Sequence, residues 1–286
     1  MSPSAGSSGS VDGFLLIDKP AGVSSHDIVQ RVRREVVGRE RSRKGVGKVR
    51  VGHAGTLDPF ATGLLVILLG RATRVQDHVM GLRKRYETTA RFGFTSSTGD
   101  PEGEIVETGR MPPEPLDLPT GRIRQQPPAY SAIHVEGRRA YALARAGVEF
   151  ELPDREVQVH RFERTGPRDF LIECSAGTYV RTLVGDLGDA YCTALRRTAI
   201  GPFDVAEASA EPSAEDLIGL GPGLERILPT LRVEGEVARR ARHGMAIEAP
   251  PGQAAPTVVL TDDDGPIALA EPRADGTLKP VVGFRA

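Results

Sequence analysis

Residues 52–65 read GHAGTLDPFATGLL. One acid, Asp58, stands between glycine-rich turns, directly before Pro59 and just ahead of an uninterrupted apolar run, LLVILL at 64–69. The glycines permit backbone conformations and close approaches that a side chain forbids, while Pro59 restricts Asp58 to extended or turn geometry. Two readings follow. Either a carboxylate is displayed to a ligand, or Asp58 caps a turn, as Asp commonly does before Pro and Gly. The loop alone does not separate them.

The surrounding chain narrows the choice. It has 286 residues, 39% of them apolar, enough for one large domain and a small one. The opening MSPSAGSSGS lacks a basic start and an apolar core, so residues 1–12 read as a disordered tail rather than a signal peptide. The run at 64–69 falls far short of the roughly 20 residues that span a bilayer. A cytoplasmic protein without membrane contact is expected. Cys174 and Cys192 provide neither a disulfide framework nor paired zinc ligands and read as inert thiols. The net charge of −1 is unevenly spread: residues 31–50 hold nine basic residues against two acids, and from 204 onward there are 14 acids against 8 bases. A basic run is either a solvated helix face or a surface for phosphates. Its approach to the Asp58 loop favours a phosphate-rich substrate.

The coarse organisation mixes strands and helices. Residues 13–18 (GFLLID) read as a strand, and Ser24-Ser25-His26-Asp27 as a helix start with capping-box spacing followed by an Ile28, Val32, Val36 stripe. Residues 64–69 read as a buried strand, 72–80 as a helix, and 86–94 and 170–174 as strands. The six prolines of 111–128 predict an excursion out of the main sheet. Residues 129–147 have helix-compatible spacing, equally suited to an ordinary amphipathic helix and to lying along phosphates. Residues 177–187 read as a turn and helix, 204–223 as an interdomain connection, and the remainder as a small β-rich module.

Common chemistries fail on the residues. Gly45-Val46-Gly47-Lys48 is followed by Val49, not Ser or Thr, and Ser42 stands where a phosphate loop needs its first glycine. The histidines lack metal-ligand spacing, and there is no GxSxG elbow. A lone carboxylate remains, which acts as a nucleophile without cofactors when a nearby cation keeps it ionised.

GHAGTLDPFATGLL closely resembles the catalytic segment of the bacterial tRNA pseudouridine synthases of the TruB type. LLIDKPAGVSSHD, KRYETTARFGFTSSTGD, QQPPAYSAIHVEGRRAYALARAG, GTYVRTLVGDLG and LRRTAIGPF resemble further segments of that family in order, across residues 13–203. The resemblance implies an α+β fold: a mixed, mostly antiparallel sheet flanked by helices, in a catalytic domain over 13–223 with an RNA-gripping insertion at about 109–152. A PUA-like domain over 224–286 would follow. It implies isomerisation of one T-loop uridine of tRNA by base flipping, with no cofactor or metal, in a monomer without an obligate protein partner. Asp58 would be the catalytic aspartate, Tyr86 the residue stacking on the base, and Arg181 the partner of Asp58. His53 would stack where the uridine was, Lys19 and Pro20 would brace the floor, Leu195 would line the base pocket, and Tyr179 would sit beside Arg181.

The chain departs from the family pattern in places. The stretch 111–121 is short and Pro-rich, His134 stands where a lysine is usual, 185–195 is compressed, and Ser97 takes a position often acidic although Asp100 remains. The competing function is a tRNA-folding chaperone on the same fold. A nucleoside glycosidase is weaker, since no second catalytic acid is evident. On this reading, truncation after about residue 223 costs affinity more than turnover.

Overall fold

The computed structural model describes residues 11–40, 48–131, 133–135 and 137–285, so Arg41, Arg43 and Lys44 of the basic run lie outside the described residues. Strands β1 (Gly13–Lys19) and β3 (Thr62–Leu69) pair antiparallel, from Gly13 with Leu69 to Lys19 with Gly63. β3 does not alternate because both its faces are covered. Leu64, Val66 and Leu68 pack with Phe14, Val75 and Val79, while Leu65, Ile67 and Leu69 pack with Ile28, Val32 and Val36. The last three form the expected stripe. Their helix, α1 (Ser25–Val32), starts at a Ser24 cap whose hydroxyl accepts the Asp27 N–H, while the Asp27 carboxylate accepts the Ser24 N–H. A π-helical turn, Arg33–Val37, extends it.

Short β2 (Val51–His53) also pairs with β3. The stretch read as one helix is a 3₁₀ segment, Gly70–Val75, and then α2 (Gln76–Gly81). There follow β4 (Lys84–Phe92), a hairpin of β5 (Phe94–Ser96) and β6 (Ile105–Glu107), and β7 (Gly121–Gln125). A second hairpin, β8 (His134–Val135) with β9 (Arg138–Arg139), leads to α3 (Ala140–Arg145). Then come β10 (Arg155–Arg164), β11 (Asp169–Cys174), α4 (Val180–Gly185), β12 (Ala190–Ile200), β13 (Phe203–Asp204), β14 (Ile218–Gly219) and α5 (Leu220–Ile227). The large sheet runs β14-β1-β3-β12-β4-β11-β10-β7, with β2 added at β3 and β13 at β12. Among these strands only β3 and β12 pair in parallel. This is the mixed, mostly antiparallel α+β architecture expected.

Three local expectations need correction. Residues 121–125 are not outside the main sheet: they form its edge, paired with β10. The prolines flank GRIRQ rather than interrupt it, so five residues remain free to donate to a ladder. Residues 129–147 become helical only at α3, because Gly137 adopts φ +81° and turns the chain into the β8–β9 hairpin. The stretch 204–223 is more than a connection, since β14 pairs with β1 and Leu220 and Leu224 of α5 pack with Phe14. The boundary expected at 223 and 224 falls inside α5.

The C-terminal sheet contains β15 (Thr230–Arg232), β16 (Ile247–Glu248), β17 (Val258–Asp262), β18 (Gly265–Pro272) and β19 (Thr277–Gly283), in the order β15-β17-β18-β19-β16. Helix α6 (Gly235–Arg242) supplies Ala238 and Ala241 to a core with Val258, Leu260, Ile267 and Leu278. Val259, Leu269 and Phe284 instead join the cluster of Phe14, Leu220 and Leu224 under the large sheet. No described helix is long and apolar enough to cross a membrane.

Candidate active site

Three elements hold the Asp58 loop. From β1, the buried Lys19 ammonium donates to the carbonyls of Pro20 at 2.9 Å, Val23 at 2.9 Å and Pro59 at 3.2 Å. From α1, the Ser25 hydroxyl donates to the Leu57 carbonyl at 3.1 Å and accepts the Leu57 N–H at 2.9 Å. From β12, the fully buried Arg197 donates through Nε to the Leu64 carbonyl at 2.8 Å and through its Nη groups to Thr56 at 3.3 Å and Gly55 at 3.0 Å. The close parallel approach of β12 is why residue 63 is glycine: its φ is +100°, and a Cβ there would lie 2.3 Å from the Arg197 carbonyl oxygen. The loop is thus a fixed scaffold rather than a pliable turn.

Arg181, in the first turn of α4, reaches the carboxylate itself. Its Nε lies 2.9 Å from Asp58 Oδ2, and an Nη lies 3.0 Å from Asp100 Oδ2. The same guanidinium donates to the carbonyls of Thr98 at 2.5 Å and Tyr130 at 3.0 Å. Asp100 is itself buried, with Oδ1 accepting from the Thr98 hydroxyl at 2.5 Å and the Glu102 N–H at 3.0 Å. Burial pushes the Asp58 carboxyl above the usual carboxylate range; Arg181 opposes that rise and the Asp100 charge adds to it. One face of Asp58 stays open, with a third of its side chain exposed to the cleft. Burial also pushes the Lys19 ammonium down to about 8, against the attraction of Asp58.

The cleft above Asp58 has a volume of about 450 Å³, and Tyr86, Tyr179, Leu195, Arg181 and Arg197 line it. Tyr86, on β4, lies opposite Ile172 of β11 and Arg197 of β12. It is nearly buried and hydrogen-bonded to Arg197, and burial pushes its phenol above the ordinary value. Leu195 stands two residues before Arg197 and faces the same side of β12. Tyr179 precedes α4, with its N–H donated to Gln125 Oε1 at 2.7 Å and its carbonyl accepting from Gln125 Nε2 at 3.0 Å. Lys84 also lines the cleft; its ammonium, pushed down to about 8 by burial, donates to the Leu82 carbonyl at 2.6 Å.

Asp58, Tyr86, Arg181, Tyr179 and Leu195 therefore meet around one cavity, with Lys19 directly beneath it. His53 does not join them: it sits half-buried on β2, opposite Ile67, outside the cavity wall. Sequence reading gave no role in the site to Arg197, Asp100, Ser25 or Gln125. Arg197 carried the clearest signal, a cation inside the otherwise apolar strand AYCTALRRTAI, whereas Asp100 in STGDPEG looks like any turn former. Cys174 and Cys192 are buried and unpaired, and burial pushes their thiols to about 11 and about 12. Among the described residues no three His, Cys, Asp or Glu side chains are grouped to hold a metal ion.

The site is thus a cleft of about 450 Å³ with an arginine-held carboxylate at its base. A family model described as TruB family pseudouridylate synthase (N terminal domain) matches residues 43–180. The tRNA pseudouridine synthase B of Thermobifida fusca (strain YX) is 41% identical over 302 residues, covering 96% of this chain and 98% of the relative. That of Mycobacterium leprae (strain TN) is 44% identical over 253 residues, covering 80% of this chain and 75% of the relative. Among solved structures, a chain of a Cbf5-Nop10-Gar1 complex superposes with a TM-score of 0.63 at 21% identity, over 96% of this chain and 84% of that one, a likeness of fold.

Proposed function

The chain belongs to the TruB family of pseudouridylate synthases, and from that premise we propose that it isomerises one T-loop uridine of tRNA to pseudouridine. The observation that carries this reading is the 2.9 Å pair of Arg181 with Asp58 at the base of a cleft walled by Tyr86 and Leu195. The guanidinium orients the carboxylate and favours its anion through a charge-assisted hydrogen bond. The anion starts cleavage of the glycosidic bond.

Isomerisation conserves atoms and electrons. The C1′ bond to N1 breaks, the freed uracil turns, a bond to C5 forms, the C5 proton leaves and N1 takes one up. Such a reaction needs no redox carrier. Tyr86 stacks against the ring during the turn and is placed to help remove the C5 proton, while Leu195 limits how far the ring strays. Lys19 and Pro20 support the floor, and Tyr179 flanks Arg181. A uridine inside a stem-loop reaches such a cleft only by flipping out. His53, outside the cavity wall, fills the stack that the base leaves, a role that requires a residue beside the cavity rather than in it.

On the same reading the chain acts as a monomer in the cytoplasm without an obligate protein partner. The segment at about 109–152 grips the tRNA, and the C-terminal sheet, β15 to β19 with α6, serves as a PUA-like RNA-binding module. Asp58→Asn is expected to abolish tritium release from 5-tritiated uridine in a T-stem-loop while binding persists within a few-fold. Turnover by that variant would overturn the assignment of Asp58. Wild-type protein that binds and refolds tRNA without forming pseudouridine would favour a chaperone instead.

A further inference from the structure

We propose that Arg155 is a phosphate-binding residue at the lip of the uridine cleft, holding the RNA backbone beside the flipped nucleotide; this rests on the RNA-isomerase reading above. β10 begins at Arg155, which pairs with Gln125 of β7 at the sheet edge. Strand alternation puts Arg155 on the face of Val157 and Val159, both buried, and so on the inner side of the sheet. A cation on an apolar face needs a counter-charge. The neighbouring arginines have one: Arg122 pairs with Glu156, Arg161 with Glu163 and Arg164 with Glu114. Among the described residues, no carboxylate lies within ion-pair distance of Arg155.

Its guanidinium instead lies over the Tyr179 ring, 5.7 Å from the centroid. One Nη is 3.2 Å from where a side chain at Gly177 would begin. Gly177 and Tyr179 both line the cleft. Arg155 is thus half-buried at the rim, oriented by an aromatic face, with its donors uncommitted to protein acids. The cleft has Tyr86 and Leu195 in its walls and the Asp58 carboxylate at its base, already paired with Arg181; that acid repels a phosphate, so the phosphates flanking the flipped nucleoside stay at the rim. A planar guanidinium fork matches a phosphodiester there.

The test compares wild type, Arg155→Ala and Arg155→Lys on a T-stem-loop across a salt series. Arg155→Ala is expected to bind roughly tenfold more weakly at low salt, with a slope of log K against log salt shallower by about one. In turnover the loss falls on KM rather than kcat. When a methylphosphonate replaces a phosphate flanking the target uridine, wild type should lose a similar factor and Arg155→Ala nothing further. Wild-type affinity and slope in Arg155→Ala, or an equal methylphosphonate penalty in both proteins, would overturn the proposal. Should Arg155→Ala melt early, Arg155→Lys carries the test: it keeps the charge, so the methylphosphonate must still weaken it. Wild-type protein that shows the phosphate effect but forms no pseudouridine would remove the isomerase reading and leave this contact standing.

Discussion

Arg181 sets one positive charge against two carboxyl groups, Asp58 and Asp100, leaving one acid in excess. That excess is one reason why the Asp58 carboxyl titrates above the 3.8 of a free side chain: burial dominates and Asp100 adds repulsion. Catalysis on the proposed reading needs the anion, so activity falls as pH drops through this raised pKa. Asp100→Asn removes a repelling charge and frees the guanidinium for Asp58, which lowers the Asp58 pKa. The acid limb of kcat/KM in a tritium-release profile is therefore expected at lower pH in Asp100→Asn than in wild type. A limb that stays in place or moves up would contradict the charge argument. Asp58 was legible as a candidate because glycine and proline neighbours framed it, and its role only through the further segments that resemble the TruB-type family. Asp100 was not, since burial and a fixed partner, rather than residue type, distinguish it from a turn-forming acid.

At the scale of elements, the site depends on how closely β12 runs beside the start of β3. Gly63→Ala meets both a φ of +100° and the Arg197 backbone, and is expected to destabilise the protein by roughly 1–3 kcal/mol from strain alone, with the collision adding to it. Gly109 also has a positive φ of +67°, but open space around its Cβ position. In urea unfolding Gly63→Ala should therefore lose clearly more stability than Gly109→Ala; equal losses would show that the strand contact is slack. The periodic elements were readable from sequence. β3 has an unbroken apolar run, and α1 has both a cap and a stripe. The edge strand β7 and the β8–β9 hairpin were hidden because proline content and helical spacing are local signals, whereas their pairing is decided by partners elsewhere.

At the scale of the whole molecule, the C-terminal sheet is not an appendage. Val259, Leu269 and Phe284 complete the cluster around Phe14, and the Phe284 carbonyl accepts from Arg71 at 2.7 Å. Sequence reading expected its removal to cost affinity more than turnover and foresaw no shared core, because acidic composition and a Pro/Gly-rich connection conceal one. Truncation after residue 227 is instead expected to lower the melting temperature by roughly 10 °C or more, given about 1.5–3 kcal/mol for each large apolar group uncovered. A truncated chain melting within a degree or two of the full protein would refute that. The bond from Arg197 to the Gly55 carbonyl also spans 142 positions in the chain. At ribosomal speeds of about 5–20 residues per second, the aspartate loop waits roughly 7–30 s before its clamp has even been synthesised. Arg181 is made only shortly before that clamp. A growing polypeptide therefore carries the reactive acid long before it can aim it, and enzymatic competence is among the last properties that synthesis confers.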